Sequence, residues 1–131
     1  MNVDIAKTQR YYNSYDKASL CGCSYCRTYH ARIQAAYPDV SAYLKSLGVD
    51  VLCPHELMPL DINDTVEYYA CQYVLFGSCD KDFEHQVGDV TFSVAISYPD
   101  TGLDEEHFVI QFGTAYLPIM PADGESLDAD R

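Results

Sequence analysis

A chain of 131 residues has the usual size of one domain, and 48% hydrophobic against 21% charged residues describes a globular protein rather than a disordered one. Its formal charge of −12 opposes contact with nucleic acid or an anionic membrane, both of which need clustered Lys and Arg. No apolar run reaches the roughly 20 residues of a membrane helix, and Met1–Lys7 lacks the apolar stretch of a signal peptide, so the expected location is cytoplasmic with reduced thiols.

Residues 1–20 are polar, and Tyr11, Tyr12 and Tyr15 fall in a stretch that would add at most an edge strand. From about Gly22 to Tyr37, Cys26, Tyr29, His30, Ile33, Ala36 and Tyr37 recur at helical spacing. Pro38 ends that helix and opens a second over roughly 39–47, with Val40, Tyr43, Leu44 and Leu47 as its apolar stripe and Gly48 as its stop. Val49–Leu52 reads as a brief extended segment, and Pro54 and Pro59 break regular structure through Cys53–Asp64.

The second half is strand material. Val66–Phe76 is rich in Tyr, Val and Phe and closes at Gly77. Val90–Tyr98 and His107–Phe112 alternate large apolar with small or polar residues. A period of two puts Val90, Phe92, Val94, Ile96 and Tyr98 on one face, and Phe108, Ile110 and Phe112 on one face of their own strand. Pro99-Asp100-Thr101-Gly102 is turn chemistry that pairs these strands antiparallel. Helices first and strands later give an α+β fold, with two N-terminal helices packed on one face of a three- to four-stranded antiparallel sheet. One domain is expected over residues 1–120, followed by an acidic flexible tail over 121–131.

The charge is uneven. Residues 1–45 carry six Lys and Arg against three Asp, a net of +3, whereas residues 46–131 carry two cations against 17 carboxylates, a net of −15. Such a field suits a basic protein surface as partner, and the candidate contacts are Asp80, Asp82, Glu84, Asp104, Glu105 and Glu106. Tyrosine favours interface cores, so the twelve tyrosines would equally serve a homodimer contact.

Chemistry concentrates in Cys21-Gly22-Cys23-Ser24-Tyr25-Cys26. With His30, this cluster could hold zinc through Cys21, Cys23, Cys26 and His30, although the second C-x₂-C or H-x₃-H of a closed site is missing. A C-x-x-C at a helix start also suits thiol redox chemistry, but the polar Asn13–Leu20 before it is not the buried strand of a thioredoxin-like motif. The same spacing continues to Ile33 as a core stripe, and cysteine packs well as a small hydrophobe, so burial of these thiols is the expectation and no cofactor is assigned. Cys71 with His107 is a further thiol–imidazole pairing to be checked on neighbouring strands. His55-Glu56 and Glu84-His85 read as surface pairs, and Asp80-Lys81-Asp82 lacks the spaced oxygen ligands of an EF-hand.

Cys23-x-x-Cys26, Tyr37-Pro38, Leu47-Gly48-Val49-Asp50, the run Tyr69–Gly77 and Ser97-Tyr98-Pro99-x-Thr101-Gly102 together give a pattern over residues 20–113. It resembles uncharacterised small proteins of anaerobic gut Firmicutes. The resemblance implies no activity and assigns no catalytic residue. The sequence therefore favours a non-catalytic binding protein of inhibitor, immunity or anti-defence type. A small zinc or thiol-redox protein stands as the alternative, and behind it a hydrolase or transferase, whose mark would be a concave pocket uniting a Cys or carboxylate with His.

Overall fold

Local chemistry starts three helices in the computed structural model, which describes residues 1–15 and 22–120. After the two-residue strand β1 (Asn2–Val3), Asp4 caps helix α1 (Ile5–Asn13), its carboxylate accepting from the Lys7 amide at 3.0 Å. Helix α2 (Ser24–Ala36) buries Thr28, Tyr29 and Ile33, and α3 (Pro38–Ser46) starts at Pro38 and buries Val40 and Leu44. The strands are β2 (Glu56–Ile62), β3 (Thr65–Ser78), β4 (Glu84–Val87), β5 (Val90–Val94), β6 (His107–Gly113) and β7 (Ala115–Pro118).

All described pairings are antiparallel and organised around β3, in the order β1-β3-β6-β5-β4, with β2 and β7 also pairing β3. On one side of β3, β6 holds Cys71–Phe76 and β7 holds Thr65–Tyr68. On the other, β2 reaches Gln72 and β1 begins only at Gly77. Helix α1 fills the gap between them with side chains. The Val74 amide donates to the Tyr12 hydroxyl at 3.0 Å, that hydroxyl donates to the Val74 carbonyl at 2.8 Å, and the Phe76 amide donates to Thr8 Oγ1 at 3.1 Å. The Asp4 amide closes the series on the Phe76 carbonyl at 2.9 Å. Buried backbone groups need partners, and here a helix supplies the ladder that strands leave open. Gly77 is required beside it, because a Cβ there would lie 2.0 Å from the Asn2 carbonyl oxygen.

The register of β2 on β3 slips between Met58 and Pro59, so Tyr69 stands as an extra residue in β3. This shift of parity lets Val66 and Tyr68 share a core with Cys71, Tyr73 and Leu75, joined by Ile33, Leu44, Phe92, Ile110, Phe112 and Leu117. The core is tied by hydroxyls: Tyr29 and Tyr73 are hydrogen-bonded to each other, and Tyr73 donates to the Val51 carbonyl at 2.7 Å. Burial pushes both phenols well above their usual pKa. The opposite face carries a smaller cluster of Val74, Ala95 and Val109, with Leu103 and Tyr11 against it.

Several sequence expectations are corrected. The fold is α+β, but with three helices and seven strands among the described residues instead of two helices and three or four strands. The expected N-terminal edge strand is β1 alone, and Tyr11 and Tyr12 lie on α1. Val49–Leu52 is turned, with the Leu52 amide captured by the Asp50 carboxylate at 2.9 Å. Cys53–Asp64 contains β2, since Pro59 sits in an edge strand where a missing N–H is tolerated. The strand expected over Val90–Tyr98 ends at Val94: Ala95 still bonds Val109, then the chain folds across the second face, leaving Ile96 92% exposed. There, buried Gln72 donates to the Ser97 carbonyl at 3.0 Å and to Gln111 Oε1 at 3.1 Å. The acidic tail expected at 121–131 lies outside the described residues.

Candidate functional site

Two surfaces collect the residues singled out from the sequence. The first is one end of the sheet. Strand β3 finishes where β6 begins, Phe76 opposite His107, so the connections on either side of β4 and β5 emerge together. Asp80 and Asp82 lie on the turn after β3, Glu84 opens β4, and Asp104, Glu105 and Glu106 lead into β6. All six are exposed. The Gly77 amide on the Glu106 carbonyl at 3.2 Å ties the end of β3 to the 95–106 connection. Asp100 is exposed on the same connection, and Lys81 is the cation of the first. Lys7 reaches across from α1 to pair Glu105 at 3.2 Å while standing 5.1 Å from the Phe76 ring centre, so Glu105 is partly neutralised.

The second surface is a cleft of about 760 Å³ between the N-terminal half of α2 and the segment entering β2. Cys23, Cys26 and His30 line it from α2, facing His55, Glu56 and Pro59. This corrects the expectation of buried cluster thiols. Cys23 is exposed and Cys26 half-buried, because the inward stripe of α2 runs through Tyr29 and Ile33, and His30, one residue round the helix from Tyr29, is exposed. The buried thiols are instead Cys53 and Cys71. Cys21 lies outside the described residues. Among the described residues, no group of three or more Cys, His, Asp or Glu side chains is arranged to hold a metal ion.

The cleft walls are fixed by hydrogen bonds. Tyr25 donates to Asp61 Oδ2 at 2.9 Å, tying α2 to β2, and this bond to a carboxylate raises the phenol's pKa. Tyr68 donates to the Tyr25 carbonyl at 2.5 Å from below. His55 is held from both sides, its amide donating to the Gln72 carbonyl at 2.6 Å and its Nε2 to the Pro99 carbonyl at 2.7 Å. The cleft thus brings thiols, imidazoles and a carboxylate together, the mark expected of a hydrolase or transferase, though His55 Nε2 is committed to the Pro99 carbonyl; the sequence could not assemble it because its walls come from distant segments.

Cys71 and His107 do lie on adjacent strands, but the register sets Cys71 opposite Phe112 and His107 opposite Phe76. Burial pushes the Cys71 thiol up, partly offset by the Tyr29 hydroxyl, so it is interior filling and not a nucleophile. His107 is occupied by Thr101 Oγ1 at 2.8 Å and the Glu105 carbonyl at 2.7 Å. The Glu84–His85 pair separates: His85 stacks on Tyr43 with ring centres 4.6 Å apart.

A third feature had no sequence signal. Leu60, Glu67 and Tyr116 are in register across β2, β3 and β7, and Leu60 and Tyr116 are exposed at the end of the sheet remote from the acidic connections. No helix among the described residues is long and apolar enough to cross a membrane. No protein-family model matches the chain, and no curated protein or solved structure matches it.

Proposed function

We propose that the acidic end of the sheet is a non-catalytic docking surface through which the protein engages a basic protein surface. The observation carrying this reading is that Asp80, Asp82, Glu84, Asp104, Glu105 and Glu106 are all exposed at the end of the sheet where β3 finishes and β6 begins. Carboxylates dispersed over a surface keep a protein soluble. Six exposed at one end of the sheet, against Asp61, Asp64 and Asp89 exposed elsewhere, would give that end a local field that steers a cationic partner and orients it. The Lys7–Glu105 pair limits the claim for Glu105, which contributes less than its neighbours.

Rigidity supports the reading as well. The 95–106 connection is pinned by Ala95 and Leu103 on the second face, by Gln72 on Ser97 and by His55 on Pro99, so its acidic tip loses little freedom on binding. The partner's surface would present Lys and Arg. Affinity purification from the native host at low and at high salt, with the parent chain and with Asp80→Lys/Asp82→Lys/Asp104→Lys, tests it. A partner retained by the parent at low salt, released at high salt and lost with the variant is the expected result. A partner retained equally by the variant refutes the electrostatic account.

A further inference from the structure

The cysteine motif is unused by the acidic end, and its placement gives it a chemistry of its own. Cys23 is the N-cap residue of α2 and Cys26 lies three residues on, so both stand on one side of the first helical turn and border the same cleft. They differ in access: Cys23 is exposed and Cys26 half-buried. The first turn of α2 contains no acidic residue, although Cys23 makes no side-chain capping hydrogen bond to its amides. Arg27 and His30, each four residues beyond one of the two thiols, line the cleft as well, with Glu56 the carboxylate opposite. Two other thiols are shifted upward: Cys71 by burial, and Cys79 by burial, opposed by the N-terminal ammonium and reinforced by Asp80.

We propose that Cys23 and Cys26 form a redox-active dithiol that reduces a disulfide lodged in the cleft. The Cys23 thiolate attacks one substrate sulfur, making a Cys23–substrate disulfide and expelling the other sulfur as a thiolate that takes up a proton. The Cys26 thiolate then attacks Cys23 Sγ, making the Cys23–Cys26 disulfide and releasing the second substrate sulfur, which is protonated in turn. The substrate disulfide gains two electrons and two protons, and the dithiol loses them. Pro54, Leu57, Pro59 and Met120 in the walls suit the apolar neighbours of a cystine in a polypeptide better than a small charged disulfide. This activity is independent of the acidic end, so either reading can fail without the other.

The test uses the full chain carrying Cys21→Ser, because Cys21, Cys23 and Cys26 share the tryptic segment 18–27. The reduced protein is mixed with insulin or with oxidised glutathione, quenched in acid and mapped by mass spectrometry, with circular dichroism confirming the fold. The expected result is a loss of about two mass units in segment 18–27 as insulin chains separate, at least about tenfold faster with insulin than with glutathione. Adding Cys26→Ser should convert this product into a lasting mixed disulfide on Cys23, and adding Cys23→Ser should slow insulin reduction at least about tenfold. A persistent adduct on Cys23 with Cys26 intact, or Cys79 reacting as fast as Cys23, overturns the dithiol. A faster reaction with glutathione overturns the polypeptide substrate.

Discussion

Replacing Tyr12 by Phe removes one oxygen and leaves the ring in place. That oxygen accepts from the Val74 amide and donates to the Val74 carbonyl, in a site where Tyr12 is 4% and Val74 1% exposed. Both strand groups would lose their partner where water does not reach. An orphaned buried amide or carbonyl costs about 1–3 kcal/mol, so Tyr12→Phe should destabilise by about 2–4 kcal/mol, a large fraction of the roughly 5–15 kcal/mol of a typical domain. Urea unfolding reads this as a lower midpoint at unchanged slope, and native-state hydrogen exchange should show faster exchange of the Val74 amide. Tyr11→Phe is the matched control, since Tyr11 packs by ring edges on Tyr12 and Phe76. If Tyr12→Phe stays within about 0.5 kcal/mol of that control, α1 does not supply the missing ladder of β3, and the account of this edge is wrong.

Phe92, fully buried between Tyr43 and Phe112, should cost about 3–5 kcal/mol as Phe92→Ala in the same urea assay, whereas a loss below about 1 kcal/mol would mean that the core is not packed around it. Alkaline stability follows from Tyr12, Tyr29 and Tyr73, whose folded pKa values all lie above the ordinary 10. The folded chain holds these protons more tightly than the unfolded one. Their contribution is therefore complete below about pH 10 and lost above it, at about 1.4 kcal/mol per pH unit for each tyrosine. Tyrosinate absorbance should rise in step with unfolding, and titration of all twelve tyrosines near pH 10 in a folded chain would contradict the burial.

The helices α2 and α3 were legible because Tyr29, Ile33, Val40 and Leu44 repeat at helical spacing and Pro38 marks the junction. Strands β3 and β6 were legible in their residue types and β5 in its alternation. Helix α1 was not, because it is anchored by the polar oxygens of Thr8 and Tyr12 and not by an apolar stripe. Strand β2 was hidden by Pro54 and Pro59, and the parity shift at Tyr69 cannot be seen in a run where nearly every residue is buried. For the site, the carboxylates were visible but their meeting at one end depends on register. Cys23, Cys26, His30 and Ile33 also fit a helical stripe, which makes the two thiols look like core, whereas the buried side of α2 is Thr28, Tyr29 and Ile33. The cleft has no local signature at all.

Titrating the isotope-labelled chain with a short lysine-rich peptide, followed by amide chemical shifts at low and at high salt, tests most directly whether the acidic end is a docking surface. Shift changes concentrated in residues 79–84 and 100–107, and abolished once the Debye length falls to about 3 Å near 1 M salt, are the predicted result. Changes scattered over the acidic half, or centred on Leu60 and Tyr116 at the far end of the sheet, would contradict it.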